Sequence, residues 1–377
     1  MIKQIVKKIF DKLPLKKMII FESVPNLSDN TKAVFDEMIS RGVNKKYKLV
    51  WLVDNTFKKP QTIKNVSYLY HKKGVFQKIR AKFLHRRAKC LISCNDFLES
   101  VTKGQVSFYL THGMPMKSVR NYCPIPNGHD YCLITGEGLL DVTSYEFKLP
   151  KEKLIPLGFP RNDELIKTVG NNKGVLHTDC DKVIVWYPTF RQHKNGVVKA
   201  GTNAMPIIYD EDSAIKLNAH ANEKGVLIVL KPHFAQDMDN IKKLDLTNIK
   251  FIDDSFFVEN KISSYEFVAK CDALISDYSS IYFDYLLCDK PIGLVWEDIE
   301  EYKEQPGLIQ GYESFTKGAH KIYDLEQMKS FIDLVASGED FLQKERQEIC
   351  KKVHYSADVT NSQRVVDFIL EKITNKR

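Results

Sequence analysis

The chain of 377 residues has no apolar stretch approaching the roughly 20 residues that a helix needs to cross a bilayer. Its N-terminus carries lysines throughout, where a signal peptide would have an apolar run. The eight cysteines are spread along the chain, and the closest pair, Cys90 and Cys94, has no second pair to complete a zinc ligand set or a disulfide framework. We therefore expect reduced thiols in a cytosolic protein that does not span a membrane.

The sequence also lacks a GxGxxG turn, a Walker-type glycine loop and the residue spacing of a metal site. An anion-binding site would therefore have to be built from side-chain hydroxyls, a helix N-terminus, lysine and histidine. The sequence requires no metal and no other cofactor.

The net charge of +8 is concentrated in two segments. Residues 1–17 hold six lysines against one aspartate, and residues 72–89 hold eight lysines and arginines without an acidic residue. The rest of the chain is net negative. Both segments also carry apolar residues at helical spacing. These residues are Ile2, Ile5, Val6, Ile9 and Leu13 in the first, and Val75, Phe76, Ile79, Phe83 and Leu84 in the second.

An apolar stripe beneath a basic face suits a helix lying on an anionic membrane surface, where each basic residue contributes about 1 kcal/mol. The alternative is a solvated helix whose apolar stripe packs into the core. A basic patch could also bind nucleic acid, but neither aromatic interleaving nor a recognisable binding module is present. We expect an anionic membrane surface as a partner and no nucleic acid.

Short β-rich runs alternate with helical stretches along most of the chain, and several are continuously apolar, as parallel strands covered on both faces are. The predicted strands cover residues 18–22, 48–53, 67–70, 90–94, 106–111, 131–135, 154–157, 183–187, 226–230, 249–252, 273–276 and 292–296. Strands that alternate with helices imply right-handed crossovers and a doubly wound sheet. Twelve strands are too many for one such sheet, so we predict an α/β protein with two Rossmann-like domains facing a central cleft.

The polar stretch 168–181 is the predicted join between the domains. The predicted organisation is a basic amphipathic segment over 1–17, an N-terminal Rossmann-like domain over 18–167 with a basic amphipathic insertion at 72–89, a C-terminal Rossmann-like domain over 181–355, and a final helix within 356–377 that could cross back over the join.

Ligands of open α/β sheets bind beyond the carboxyl ends of the strands. One apolar strand leads there into His112 and Gly113, where glycine allows a sharp turn and a histidine is a candidate general base near neutral pH. The alternative is a histidine that only caps a turn. A strand of the second domain leads into Lys231 and His233, which could both donate to phosphate oxygens. We predict that the two histidines, one in each domain, face each other across the cleft.

The run from Ser276 to Ser280 (SDYSS) separates an apolar strand from a helical stretch. Backbone N–H groups and the hydroxyls of Ser279 and Ser280 would point at one spot, with the helix dipole behind them. The alternative is that Asp277 or Ser279 only caps the helix. The arrangement predicts a diphosphate site.

Two further strand ends carry polar groups. Thr189 and Arg191 follow the first strand of the second domain, and Arg191 could clamp a phosphate with two hydrogen bonds. Arg161 and Asn162 lie in the turn GFPRND near the end of the first domain. A surface arginine without a role and a simple helix cap are the respective alternatives.

Together these motifs resemble the CDP-glycerol:glycerophosphotransferases of teichoic acid synthesis, a family of GT-B-like enzymes. The matching elements follow the family's order and cover residues from about 20 to 310. They are Glu22-Ser23 with Asp29-Asn30, Thr111-His112-Gly113, Gly158 to Asp163, Tyr187 to Arg191, Lys231-Pro232-His233, and Ser276 to Ser280 through Phe283-Asp284 to Lys290-Pro291.

The resemblance implies an acceptor domain over 18–167 and a CDP-donor domain over 181–355. It implies that His112 is the base that activates the acceptor hydroxyl and that His233 contacts phosphate, so these two are the predicted catalytic residues. The predicted substrate-binding residues are Gly113, Arg161, Asn162, Thr189, Arg191, Lys231, Ser276, Asp277, Ser279, Ser280 and Asp284.

The implied reaction moves glycerol phosphate, or a related alditol phosphate, from CDP-glycerol to a polyprenyl-diphosphate-linked saccharide or a growing polymer of the teichoic acid or capsule type, and releases CMP. The chain has the length of one catalytic unit, so we expect a primase that adds one or a few units. We expect a peripheral location on the cytoplasmic face of the cell membrane, and a homo-oligomer remains open.

The sequence departs from the family pattern in two places. Residues 24–28 lack the glycine expected after Glu22-Ser23, and Phe190 stands where the family often has tryptophan. Both changes could reshape the acceptor or alditol pocket, so the choice between glycerol and ribitol stays open.

Two other functions remain as alternatives. A GT-B glycosyltransferase that uses a nucleotide sugar would share the fold and the location, but it would release a nucleoside diphosphate. A non-enzymatic peripheral membrane scaffold would explain the basic segments, yet it assigns no role to His112, His233 and the serine-rich turn.

Overall fold

The computed structural model describes residues 14–60, 62–122, 124–170, 178–189, 205–232 and 238–376. The basic segment predicted over 1–17 therefore lies outside the described residues as far as position 13. Its last two lysines, Lys16 and Lys17, begin the first strand.

The chain divides into two compact units. Unit 1 consists of Met1–Met114, Arg120–Asp163 and His354–Arg377, and unit 2 consists of Pro115–Val119 and Glu164–Val353. Each unit is built on one parallel sheet.

The strands are β1 (Lys16–Glu22), β2 (Lys48–Val53), β3 (Val66–Tyr70), β4 (Ala88–Ser93), β5 (Val106–Tyr109), β6 (Tyr131–Ile134), β7 (Leu154–Pro156), β8 (Lys182–Trp186), β9 (Val226–Leu230), β10 (Ile249–Phe251), β11 (Ala273–Ser276), β12 (Ile292–Val295) and β13 (His320–Ile322). The helices are α1 (Asp29–Ser40), α2 (Gly74–Arg87), α3 (Leu140–Phe147), α4 (Asn162–Thr168), α5 (Glu211–Glu223), α6 (Asp239–Lys242), α7 (Asp254–Glu259), α8 (Ser264–Lys270), α9 (Ile281–Tyr285), α10 (Ile299–Glu304), α11 (Tyr312–Phe315), α12 (Leu325–Ser337), α13 (Gln343–Val353) and α14 (Asn361–Asn375). Short 3₁₀ turns lie at Val43–Lys45, Glu137–Leu139, Lys151–Lys153 and Leu286–Cys288.

The strand order is β3-β2-β1-β4-β5-β6-β7 in unit 1 and β10-β9-β8-β11-β12-β13 in unit 2. All twelve predicted strands are present, with ends shifted by two residues at most. The prediction of two α/β domains with parallel sheets is therefore confirmed. It missed the edge strand β13, because a three-residue strand that contains His320 and Lys321 shows no apolar run.

The sheet of unit 1 is covered on both faces, which explains why its strands read as continuous apolar runs. On one face Ile20 belongs to a core cluster against which Leu84 of α2 packs. On the other face the Phe21 ring stacks on Trp51 at 5.3 Å and meets Phe35 of α1 edge-on at 5.4 Å between centroids.

The C-terminal helix α14 packs within unit 1. The Asp163 carboxylate accepts hydrogen bonds from the backbone N–H groups of Asn361 and Ser362 at 2.9 and 2.8 Å, so it satisfies the first turn of the helix. Further along, the Phe368 ring meets Tyr131 edge-on at 5.1 Å.

The basic insertion predicted at 72–89 forms α2, and the apolar residues of its first turns face solvent. Val75, Phe76 and Ile79 are 70%, 89% and 59% exposed, whereas Leu84 reaches the core cluster. The interpretation in which the whole stripe packs into the core is therefore wrong for these three residues. No helix of the described residues is both long enough and apolar enough to span a membrane.

His129 is buried beneath the end of β5. Its ring lies 5.4 Å from Tyr109 and 5.8 Å from Phe97 between centroids, and the residue is 1% exposed. Neither ring nitrogen has a hydrogen-bond partner among the described residues. Burial lowers the pKa of His129 from 6.5 to about 4, because the imidazolium would lose its hydration.

We expect this residue to make the protein less stable in acid. Between pH 6.5 and about 4 the unfolded chain binds a proton at His129 that the folded chain excludes. The contribution of neutral His129 to the free energy of unfolding is therefore fully present above pH 6.5. It is lost as the pH falls, and the loss amounts to roughly 3 kcal/mol. His129→Phe keeps the ring contacts and removes the proton site. In urea unfolding, the wild type should lose stability relative to the variant as the pH falls; parallel pH curves would contradict the assignment.

Candidate active site

In unit 1 the functional candidates lie at the carboxyl edge of the sheet, beside the point where the strand order reverses. The chain passes from β1 to β2 on one side, and β4 lies on the other side of β1. Doubly wound sheets bind ligands at such a reversal. The groups that end or follow β1, β4 and β5 there are Glu22, the Cys94–Asp96 turn and His112.

The backbone is strained just before His112. Thr111 has a φ of +51°, which a β-branched residue rarely adopts and which costs about 1–3 kcal/mol. The buried Asn30 side chain donates through Nδ2 to the carbonyls of Leu110 and Thr111, both at 3.1 Å. The Thr111 hydroxyl donates to the Leu133 carbonyl at 3.2 Å. These bonds hold the turn that aims His112.

Arg161 is held against the same turn. Its Nη1 donates to the Asp29 carboxylate and to the His112 carbonyl, each at 2.8 Å, and its backbone N–H donates to Asn30 Oδ1 at 3.2 Å. The Arg161 side chain is only 10% exposed. Asn162 is fully buried at the start of α4. Both residues therefore shape the surroundings of His112, and their contact with a substrate stays a prediction.

His112 is exposed, and its Nδ1 lies 3.4 Å from the Cys94 carbonyl. A carbonyl at this position favours the tautomer with the proton on Nδ1, so Nε2 is left with a lone pair that can accept a proton. Gly113 follows with a φ of +153°, and its lack of a side chain allows a substrate to approach the ring.

Glu22 ends β1 and is 1% exposed. Its Oε2 accepts hydrogen bonds from the backbone N–H groups of Asn95 and Asp96 at 3.1 and 2.9 Å, while Oε1 is buried without a partner among the described residues. Burial raises the pKa of Glu22 to about 7.

Sequence reasoning assigned no role to Glu22, Asp29 or Asn30, although all three stand in the matching motifs. The available signals were an acidic residue at the end of an apolar strand and a polar pair at a helix start. Neither signal shows which distant backbone groups these side chains reach.

In unit 2 two of the predicted site residues hold the site together. The Asp277 carboxylate accepts hydrogen bonds from the Thr189 backbone N–H at 2.8 Å and from the Thr189 hydroxyl, and the Ser276 hydroxyl donates to the Tyr187 carbonyl at 2.9 Å. Ser276 and Asp277 are buried. They tie the end of β11 to the segment that follows β8.

Ser279 and Ser280 are only partly buried, and neither hydroxyl has a hydrogen-bond partner among the described residues. The alternative was that Asp277 or Ser279 only caps the helix, but the residue at the cap position of α9 is Ser280, and its side chain makes no capping bond. The Lys231 ammonium lies 3.0 Å from the carboxylate of Asp254, which is 90% exposed. Asp284 is buried and accepts a hydrogen bond from the Tyr265 hydroxyl at 2.6 Å.

Two predicted residues, Arg191 and His233, lie outside the described residues. In the part of the chain that is described, no group of three or more His, Cys, Asp or Glu side chains could hold a metal ion.

Residues 5–371 match the family described as CDP-glycerol:poly(glycerophosphate) glycerophosphotransferase. The teichoic acid ribitol-phosphate primase of Bacillus spizizenii is 25% identical over 274 residues, which cover 69% of this chain and 64% of the primase, less than two thirds of its length. The teichoic acid poly(glycerol phosphate) polymerase of the same organism is 26% identical over 376 residues, which cover 87% of this chain and 90% of that protein. The teichoic acid glycerol-phosphate transferase of Staphylococcus aureus is 24% identical over 79% of this chain and 78% of its own.

Among solved structures, the fold is similar to that of a variant of the wall teichoic acid polymerase TagF, with a TM-score of 0.72 and 20% sequence identity over 99% of this chain and 96% of that chain. The family match covers nearly the whole chain, and the fold agrees with it. The chain therefore belongs to the CDP-glycerol:poly(glycerophosphate) glycerophosphotransferase family.

Proposed function

We propose that this protein transfers glycerol phosphate, or a related alditol phosphate, from a CDP-alditol to a polyprenyl-diphosphate-linked saccharide or a growing polymer of the teichoic acid type, with release of CMP. Family membership supports the reaction class. The observation that carries the proposal is the exposed His112 imidazole, whose Nδ1 faces a carbonyl and whose backbone is fixed by Asn30 and Arg161.

In this reaction the acceptor hydroxyl oxygen attacks the β-phosphorus, which carries the alditol. A new phosphorus–oxygen bond forms, the bond from the β-phosphorus to the bridging oxygen breaks, and CMP leaves with the bonding electrons. The hydroxyl proton passes to Nε2 of His112. General-base catalysis of this kind contributes about 10²- to 10⁴-fold to the rate.

The donor diphosphate has suitable partners in unit 2. The hydroxyls of Ser279 and Ser280 are not engaged by described residues, so they can donate to phosphate oxygens. The ion pair of Lys231 with an exposed carboxylate is worth only about 0–1 kcal/mol, so the ammonium can turn to a phosphate. His233 and Arg191 remain further candidates from the sequence.

The relatives act on different alditols, since their names include ribitol phosphate and glycerol phosphate, and they include primases and polymerases. The alditol and the number of units added are therefore the quantities to measure. We propose glycerol phosphate first and a product of one or a few units.

The decisive assay is nucleotide release by the purified protein with a lipid-linked disaccharide and, separately, CDP-glycerol, CDP-ribitol and UDP-sugars. We expect acceptor-dependent CMP from one CDP-alditol. UDP from a sugar nucleotide would identify a glycosyltransferase instead, and vesicle binding without turnover would favour a scaffold.

In the same assay His112→Ala should lower turnover by about 10²- to 10⁴-fold, because the base is lost while the fold is unaffected. His220→Ala is the matched control, since His220 pairs with Asp333 between two helices of unit 2. Turnover close to that of the wild type in His112→Ala would remove the base from the mechanism.

For the donor site, Ser279→Ala and Ser280→Ala should each raise the KM for the CDP-alditol by roughly tenfold, because each removes a hydrogen bond to a charged group worth about 1.5–3 kcal/mol. The free energy of unfolding should not change, since neither hydroxyl bonds a described residue. Ser337→Ala on α12 serves as the control. An unchanged KM in both variants would place the diphosphate elsewhere.

We further propose that the protein lies on the cytoplasmic face of the membrane through α2. Val75, Phe76 and Ile79 expose a compact apolar surface on a helix rich in lysine and arginine, as a helix resting in the headgroup region of an anionic bilayer requires. The basic segment predicted over 1–17, most of which lies outside the described residues, remains a second candidate from the sequence alone.

Replacement of Val75, Phe76 and Ile79 by serine should weaken binding to vesicles that contain anionic lipid by about tenfold or more, since their apolar side chains would no longer enter the bilayer. Transfer to a soluble acceptor should be unchanged. Val258→Ser with Phe341→Ser is the matched control, because these residues are also 77% and 71% exposed. Equal loss of binding in both variants would speak against a specific role of α2.

A further inference from the structure

The Cys94–Asp96 turn lies between two side chains, those of Glu22 and His112, each of which contacts its backbone. On one side Glu22 Oε2 accepts the backbone N–H groups of Asn95 and Asp96. On the other side the Cys94 carbonyl lies 3.4 Å from Nδ1 of His112. The turn is therefore the physical link between the buried carboxyl and the exposed imidazole.

The link runs through a single peptide group. The Cys94 carbonyl and the Asn95 N–H belong to the same planar unit and point in opposite directions. When Glu22 holds the N–H at 3.1 Å, it also fixes the direction of the carbonyl that faces His112. Rotation of this peptide would break one bond at each end.

The rest of Cys94 is fixed as well. Its N–H donates to the Glu22 carbonyl at 3.3 Å, and its buried sulfur accepts a hydrogen bond from the Thr31 hydroxyl at 2.8 Å. The Asn95 side chain is anchored too, since its Oδ1 accepts the Val24 backbone N–H at 2.9 Å. The N–H of the Cys94–Asn95 peptide itself is held by the Glu22 carboxyl, which therefore sets the tilt of that peptide.

We propose that Glu22 is a positioning residue for the transfer reaction: by holding the Cys94–Asn95 peptide it keeps the proton of His112 on Nδ1 and leaves Nε2 free to accept the proton of the acceptor hydroxyl. The inference rests on the proposed function, because it assumes that His112 is the base. Glu22 is buried, so the role proposed for it is exerted through the turn.

Three replacements of Glu22 separate hydrogen bonding from packing. Glu22→Gln retains an oxygen that can accept both N–H groups. Glu22→Ala removes the acceptor, and Glu22→Asp keeps a carboxyl but withdraws it by one methylene. We expect Gln to behave as the wild type, and both Ala and Asp to release the turn.

The first readout is the tautomer of His112, observed through its ¹⁵N chemical shifts at alkaline pH, where the imidazole is neutral. The protein has ten histidines, so the His112 signals are assigned by their absence in His112→Gln. We expect a protonated Nδ1 in the wild type and in Glu22→Gln, and a mixture of both tautomers in Glu22→Ala and Glu22→Asp.

The second readout is turnover, which should fall about 10- to 100-fold in Glu22→Ala and Glu22→Asp with an unchanged KM for the CDP-alditol, and by less than about threefold in Glu22→Gln. If Glu22→Ala does not fold, Glu22→Asp and Glu22→Gln still form the comparison.

An unchanged His112 tautomer in Glu22→Asp or Glu22→Ala would overturn the inference, as would a Gln variant that behaves like Ala. A changed tautomer together with normal turnover would uphold the link between Glu22 and His112 but contradict His112 as the base. The failure of the inference and the failure of the proposed function are thus distinguishable.

Discussion

The buried amide of Asn30 joins three segments of unit 1 that are far apart in sequence. Its Nδ2 donates to the two carbonyls that precede His112, and its Oδ1 accepts the backbone N–H of Arg161. A buried amide is costly unless its donors and acceptor are satisfied, so these segments meet in one arrangement. The strained turn at Thr111, the placement of Arg161 and the direction of His112 all depend on it.

The strands were predictable because burial on both faces of a parallel sheet demands apolar residues throughout, a pattern that neither loops nor surface helices share. The strand β13 shows the limit of this signal, since an edge position tolerates His320 and Lys321. The helix α2 shows another limit. Its apolar stripe was visible in the sequence, but the same stripe could face the core or solvent, and only the packing of Leu84 and the exposure of Phe76 separate the two cases.

The position of the candidate site at the edges of the sheets was predictable, but the role of each residue within it was not. Polar residues after apolar strands marked the carboxyl edges of both sheets, as the parallel topology requires. The sequence could not show that Ser276 and Asp277 bond the segment after β8, because their partners are about 90 positions away in the chain. Nor could it show that the hydroxyls of Ser279 and Ser280 bond none of the described residues. For the same reason Glu22 and Asn30 carried no recognisable role: their partners are backbone groups of the Cys94–Asp96 turn and of the end of β5.

The polar groups of the two units are used differently, and the difference fits the chemistry proposed for each. In unit 1 the buried side chains of Glu22 and Asn30 fix the backbone around one exposed imidazole. This arrangement suits a base that has to accept a single proton from a defined direction. In unit 2 the buried Ser276 and Asp277 hold the backbone in place, and the hydroxyls of Ser279 and Ser280 bond none of the described residues. Such hydroxyls suit a diphosphate, whose charge is spread over several oxygens. A base gains more from fixed orientation than an anion-binding turn does, because proton transfer depends on one lone pair whereas phosphate oxygens accept donors from many directions.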